Sequence, residues 1–354
     1  MSETGTTRLL APTRFSESSP WTARGMLLFL LALASYGVGL TSSRELITDA
    51  GHGEDAALYA GIVRDMRAGQ GYYAAAEAQL RSRGYPMKSV FNWRLPTLAW
   101  LFSFLPSDGA ARGVLGGLAM LALAAWFAAL RRSFSFRAAF AGCVVLLGIF
   151  AWPFASEAYR VHETWAGIAI ALSIAAAALD WPAIAVLTGL SALAIRELAL
   201  PYVIVAIVLA VRDPRRRGAT AWMVGFILFC VLFRLHTWMV AKHQMMGDRA
   251  QLATWLDFGG WWFALKTAIT NFWLISAPVW VAALLLPVAL LGLLGWRTAL
   301  GRRVSATVFA YVGLFLLVGL PFNYLWGLLY AGLAPLGLLR APAVLRDLLR
   351  RALA

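Results

Sequence analysis

Hydrophobic positions in this chain fall into long runs broken by short polar stretches. The runs are Gly25–Leu46, Ala111–Leu130, Ala138–Ala155, Trp165–Leu179, Ala183–Ile195, Leu198–Val211, Ala219–Ala241, Phe272–Leu294, Ser305–Leu320 and Tyr324–Leu339. Crossing a bilayer takes roughly 20 helical residues. Backbone groups in hydrocarbon must pair within the chain, so Leu- and Ala-rich runs of this length read as helices rather than barrel strands. The pattern predicts an all-α polytopic membrane protein of about ten transmembrane helices plus extracytoplasmic juxtamembrane helices. The fifth and sixth runs are short and meet at Arg196-Glu197. A further apolar piece, Trp93–Leu105, ends in "PSDG" and is too short to cross. It is predicted to be an interfacial or re-entrant helix.

Composition agrees: 61% of the residues are hydrophobic, 14% are charged, and mean hydropathy is +0.71. The net charge of +14 would suit nucleic acid, but its distribution assigns it elsewhere. Lys/Arg bias orients membrane helices. With Arg8, Arg14 and Arg24 in the cytoplasm, alternation puts "RRSFSFR", "RDPRRRG", "WRTALGRR" and "RAPAVLRDLLRR" on the same side. Those segments, the N-terminal tail and the turn at Asp180 together hold 17 arginines against five acidic residues, a net +12 of the total +14. Contact with anionic lipid accounts for the basic balance, and nucleic acid is not needed. The expected organisation is a disordered cytoplasmic tail (1–24), a membrane domain (25–340) with its first extracytoplasmic loop at 47–110, and a basic cytoplasmic tail (341–354). The run that opens with "RGMLLFLLALASYG" continues to about Ile47, a full spanning length, so it reads as a retained helix rather than a signal peptide. Cys143 and Cys230 lie in predicted spans, which argues against disulfides and thiolate metal sites. No fixed-period repeat and no Gly-rich phosphate loop stands out, so a nucleotide-driven pump is not expected.

The unusual polar clusters all fall on the predicted outer face: "HGEDAALYAGIVRDMRAGQGYY" (52–73), "FNWRLP" (91–96), "SEAYRVHET" (156–164), "IRELALP" (195–201) and the loop 242–271. Charged groups at membrane depth are costly and face cavities or one another. Asp55 and Tyr59 are one helical turn apart. Asp55 is a candidate general base, with Glu54 beside it; a solvated, dipole-facing helix start is the alternative. Arg94 and Arg196 are candidates to fork onto a phosphate, against an Arg196–Glu197 structural pair or ordinary snorkelling. Glu163 is a second acid, with Arg160 and His162 as neighbours. No metal ligand is assigned: the single His162-Glu163 step falls short of the three or four ligands of a zinc site, and a divalent cation near Asp49, His52, Glu54 and Asp55 stays open. Trp255, Trp261 and Trp262 read as an interfacial aromatic belt.

A first span followed by "EDAALYAGIVRDMRAGQGYY" resembles the opening of the GT-C glycosyltransferase superfamily, above all the lipid A aminoarabinose transferases and protein O-mannosyltransferases. Asp55 matches the family's catalytic Asp by its distance to Tyr59-Ala60, although Ala56 stands where a second acid is usual. "WRLPTLAWL" resembles the Lys-Pro-Pro-Leu segment, with Arg94 at the phosphate-contacting position. "VHETWAGIAIAL" puts Glu163 at the place of an outer-loop acid, and "SALAIRELALPYV" puts Arg196 at a basic position. The likeness covers roughly residues 25–215. It implies an enzyme of the cell (inner) membrane, with both termini cytoplasmic and its active site outside. It also implies sugar transfer from a polyprenyl-phosphate-linked donor, with inversion, to an acceptor glycan, lipid or protein, without a cofactor. A flippase of lipid-linked sugars and a non-catalytic scaffold of the same fold are the rival readings, because fold alone does not establish activity.

Overall fold

The computed structural model describes residue 9 and residues 11–42, 52–154, 157–216, 218–250 and 257–354; the side chains of 52–54, 153 and 321 are outside that description. The protein is all-α. In chain order the helices are α1 (Pro20–Ser42), α2 (His52–Arg67), α3 (Tyr72–Ser82), α4 (Thr97–Phe104), α5 (Asp108–Arg131), α6 (Phe136–Phe150) and α7 (His162–Ala178). They continue as α8 (Pro182–Ile195), α9 (Leu200–Arg212), α10 (Ala219–Lys242), α11 (Gly260–Ala268), α12 (Val279–Leu294), α13 (Ala299–Leu317) and α14 (Ala341–Ala352).

Four helices, α1, α5, α10 and α13, are long and apolar enough to cross a membrane, and α6, α7, α8 and α12 are shorter apolar helices. This is a multi-pass membrane protein, and among the described residues four of the expected ten or so spans are helices of full crossing length. At 1.5 Å per residue, a 15-residue helix such as α6 reaches only about 22 Å of the ~30 Å hydrocarbon layer. α4 has eight residues, in keeping with an element that does not cross.

α7 is the axis of the bundle, with every residue from His162 to Ala176 buried. Its Ala- and Gly-rich sequence lets neighbours come close, which is how membrane helices gain packing energy without a hydrophobic drive. Polar bonds pin it on three sides. The Trp126 indole donates to the Ala171 carbonyl at 2.9 Å, Ser173 donates to the Ala185 carbonyl at 2.5 Å, and Tyr202 donates to Ser173 Oγ at 2.5 Å. By contrast, α1 and α10 expose apolar side chains such as Leu28, Phe29, Ile227 and Val231, as peripheral helices in lipid would.

Two expectations are corrected. The tenth run, Tyr324–Leu339, is not an α-helix but parts of two 3-10 stretches, Pro321–Leu329 and Ala334–Leu339. Its backbone is pressed against its neighbours. A Cβ on Gly327 would lie 1.9 Å from the Thr267 carbonyl oxygen, and one on Gly337 would lie 1.9 Å from that of Ala289. Irregular backbone is tolerated at membrane depth only where protein surrounds it. The second correction concerns the N-terminal tail, which from Ala11 onward is built into the fold rather than disordered. The Thr13 amide donates to Asp347 Oδ2 at 2.7 Å, Arg24 donates to the Ala352 carbonyl at 2.8 Å, and Arg351 donates to that of Ser16 at 2.5 Å. Phe15 and Ala23 join Val344 and Leu348 of α14 in an apolar cluster. A buried carboxylate needs such partners, and the tail supplies one.

Residues 11–24 and α14 therefore meet at one end of the bundle. Glycine contact on the 3-10 segment makes a direct test. Gly292→Ala would put a methyl group 2.0 Å from the Gly337 carbonyl oxygen and is expected to destabilise by about 1–3 kcal/mol. Gly117→Ala, in α5 with nothing within 4 Å, should be neutral or stabilising by about 0.5–1 kcal/mol. Thermal unfolding in detergent reads both.

Candidate active site

The polar residues gather at the end of the bundle opposite the termini, where α7 begins and α8 ends. α2 carries Asp55 and Tyr59 on one face. The Tyr85 hydroxyl donates to Asp55 Oδ1 at 2.6 Å, while Asp55 Oδ2 makes no hydrogen bond among the described residues. The segment between α3 and α4 delivers Arg94, whose Nε donates to the Tyr59 hydroxyl at 2.9 Å and whose Nη1 donates to the Phe91 carbonyl at 2.6 Å. Arg94 has φ +52°, a left-handed conformation that costs a non-glycine residue roughly 1–2 kcal/mol. Tyr72 holds it there by donating to the carbonyls of both Trp93 and Arg94. The Trp93 indole anchors the same segment by donating to the Met87 carbonyl at 2.9 Å. Strained backbone of this kind persists where surrounding structure fixes it, often at functional sites.

The start of α7 supplies His162 and Glu163. The His162 ring meets Tyr59 edge-on, with centroids 4.6 Å apart. His162 is 4% exposed, and its Nδ1 has no hydrogen-bond partner. An unpaired buried polar atom costs about 1–3 kcal/mol. Glu163 accepts from Arg196 Nε at 2.7 Å, and Glu197 accepts from the same guanidinium. Arg196 is 1% exposed, so it sits sealed between two carboxylates, at the break between α8 and α9 that the sequence marked. Thr97 ties the Arg94 segment to this break by donating to the Ala194 carbonyl at 2.7 Å.

Asp55, Tyr59, Arg94, His162, Glu163 and Arg196 thus form one connected group drawn from four segments. Arg160 stands at its edge, bonded to Asp108 at 2.5 Å and to Glu157. The side chain of Glu54 lies outside the described residues, as do Asp49, His52 and Trp255, which leaves the cation expectation there without a geometry. Among the described residues no group of three or more His, Cys, Asp or Glu side chains is arranged to hold a metal. Trp261 and Trp262 correct the belt expectation, since both are buried in α11 and packed into the core.

Two hollows border the group. A recess of about 20 Å³, enough for one water-sized group, is lined by Tyr59, Tyr72, Arg94, Arg160 and His162 among others. An adjoining cleft of about 230 Å³ is lined by Tyr59, Arg64, Arg67, Asp108 and Arg160 among others. Burial pushes the Tyr59 phenol up to about 12, with Asp55 and Glu163 adding to the rise and Arg94 opposing it. Tyr59 therefore keeps its proton at neutral pH.

No family model matches this chain, and no curated protein matches it. Among solved structures, the crystal structure of ArnT from Cupriavidus metallidurans in the apo state is similar, with a TM-score of 0.46 and 16% sequence identity. The match covers 91% of this chain and 60% of that one, so this chain spans less than two thirds of its length. What the protein does is read from its own residues.

A second polar cluster flanks the site, and sequence reading missed most of it. Glu77 and Arg81 of α3 bond each other at 2.9 Å. Glu77 also bonds His243 Nδ1 at 2.7 Å, and Arg81 donates to Asp248 at 2.5 and 3.1 Å. Tyr73 bonds His236 at 3.1 Å and stacks on His243. The available signal was the Glu77-x-x-x-Arg81 spacing, a helix-surface pair. Together these bonds fasten the segment after α10 to the first loop.

Two outcomes follow from these arrangements. Arg196→Met strands the buried carboxylate of Glu163 and unpairs the half-buried Glu197, and should cost about 3–5 kcal/mol, measured by thermal unfolding. At the second cluster, burial would raise Glu77, but hydrogen bonds from His243 and Arg81 outweigh it and hold the carboxyl below its usual range. A folded value below the unfolded one gives stability that is complete above about pH 4.3 and lost as pH falls through the folded value. Hydrogen-exchange protection of residues 243–248 should therefore drop on acidification in the wild type. In Glu77→Gln that acid-dependent step should shrink to the part carried by Asp248, whose carboxyl the hydrogen bonds from Arg81 and the Met245 amide also hold below its usual range.

Proposed function

We propose that this protein is a membrane glycosyltransferase that moves a sugar from a polyprenyl-phosphate-linked donor to an acceptor hydroxyl on the extracytoplasmic face, with inversion. The observation that carries the reading is the pairing of a half-open carboxylate with a nearby guanidinium: Tyr85 fixes one oxygen of Asp55, and Arg94 is joined to the same α2 face through Tyr59. The likeness of "EDAALYAGIVRDMRAGQGYY" to the opening of GT-C enzymes supports the same assignment.

In this reading the acceptor hydroxyl gives its proton to Asp55 Oδ2 as its oxygen bonds to the anomeric carbon. The bond from that carbon to the phosphate oxygen breaks, and the electron pair leaves with the polyprenyl phosphate. Attack opposite the leaving group inverts the carbon, by the geometry that governs two-sided attack at sugars. Charge grows on the phosphate as the bond breaks, so a guanidinium held at a partly dry site stabilises the transition state more than the ground state. Arg94 takes that role. Arg196, sealed by Glu163 and Glu197, acts by holding the start of α7, and Glu163 acts with it. The adjoining cleft is assigned to the donor's sugar and to the acceptor hydroxyl that attacks it there. The sites face outward because the arginine-rich loops and both termini lie at the other end.

Asp55→Asn keeps size and removes the base. Turnover should fall by about 100-fold or more, while donor binding and thermal stability stay at wild-type level. Undiminished sugar transfer would sink the assignment. Movement of lipid-linked sugar between leaflets without an acceptor would turn it toward a flippase.

A further inference from the structure

Three hydrogen-bond donors border the small recess without being used. The Tyr59 hydroxyl accepts from Arg94 Nε, and its own proton goes to no acceptor among the described residues. Arg94 spends Nε and Nη1 on Tyr59 and Phe91, while Nη2 makes no hydrogen bond among the described residues. His162 Nδ1 is buried and has no partner. All three residues line the same hollow of about 20 Å³, which has room for a single oxygen. Buried polar atoms are almost always satisfied in folded proteins, and His162 Nδ1 is one that is not. With two half-buried neighbours that keep an unspent O–H and N–H beside the same one-oxygen space, the arrangement describes a ligand atom. It must be an acceptor. A charged oxygen suits it best, because hydrogen bonds to ionised acceptors are the stronger kind.

We propose that Tyr59, Arg94 and His162 form a seat for one phosphoryl oxygen of the lipid-linked donor, and that His162 is the residue that makes the protein select a phosphorylated lipid over its uncharged alcohol. This rests on the transferase reading for the identity of the ligand. The imidazole donates from Nδ1 in the tautomer that carries its proton there. The remainder of the headgroup extends into the cleft under Arg64, Arg67 and Arg160, which shares Tyr59 and Arg160 with the recess. His162 adds a donor without adding a fixed charge. This matters beside Arg94 and Arg196, where another cation would be repelled.

The test measures binding of a polyprenyl phosphate and of the matching polyprenol to the full-length protein in detergent, and takes the ratio of the two affinities. Wild type should prefer the phosphate. His162→Leu should lower that ratio about 10- to 100-fold, and His162→Gln, which keeps an N–H donor, should recover most of it. A purely structural role would weaken both lipids alike and leave the ratio unchanged. Should His162→Leu fail to fold, Tyr59→Phe keeps the ring, removes the O–H, and should also lower the ratio. An unchanged ratio in the Leu and Phe variants, with wild type still preferring the phosphate, overturns this proposal alone. A wild type with no preference overturns the polyprenyl-phosphate reading as well.

Discussion

Arg196 sits where α8 breaks into α9, and its guanidinium is shared by Glu163 at the start of α7 and Glu197 beside it. Neither partner is replaceable by water, because the arginine is almost wholly enclosed. A charge taken out of solvent is tolerable only with matched partners, and removing one leaves the other exposed to the full cost of burial. This bonding fixes the axial position of α7 relative to α8. Since His162 precedes Glu163, it also fixes the imidazole against Tyr59. Through Tyr59 the restraint reaches Arg94. The geometry of the recess therefore descends from the ion triad, and Arg196 acts as an anchor for the residues that line it.

One turn beyond Glu163, α7 is fixed by contact rather than charge. A Cβ on Gly167 would lie 2.2 Å from the Leu328 carbonyl oxygen, so the 3-10 segment rests directly on the helix backbone. Gly327, Gly332 and Gly337 recur at intervals of five residues, and each faces a neighbouring element too close to admit a methyl group. Protein packed this tightly transmits position rather than absorbing it. The triad and the glycine contact together hold the first two turns of α7.

The parts of this arrangement that were legible in the sequence are those written in local spacing. The Asp55–Tyr59 turn, the adjacent Arg196-Glu197 pair and the break between two short apolar runs all depend on residues within a few positions of one another. Tyr85 reaching Asp55 across 30 positions and Glu163 reaching Arg196 across 33 left no periodic trace. The 3-10 segment was hidden by its own hydrophobicity, because a fully buried stretch has no polar face to mark a period. Its Pro321, Pro335 and regular glycines were the signal against a continuous helix. The N-terminal order was hidden for a different reason: Ser- and Thr-rich sequence reads as unstructured until Asp347, more than 300 positions away, is seen to need the Thr13 amide.

How the arginines are used separates the two ends of the molecule. At the terminal end they satisfy carbonyls left open where helices stop: Arg132 donates to those of Ala178 and Leu179, and Arg24 donates to that of Ala352. Cations suit such positions, where the helix dipole is negative. Around the candidate site, Arg160 and Arg196 are instead neutralised by carboxylates. Arg94 follows neither pattern. Among the described residues its hydrogen-bond partners are a phenol and a single carbonyl, both uncharged, and its backbone is held in a costly conformation to keep it there. Asp55 lies close by on α2 but spends its contact on Tyr85. Its charge is balanced only at a distance, through the fields of Glu163, Glu197 and Asp55, so its hydrogen-bonding edge is left open while its electrostatics are not.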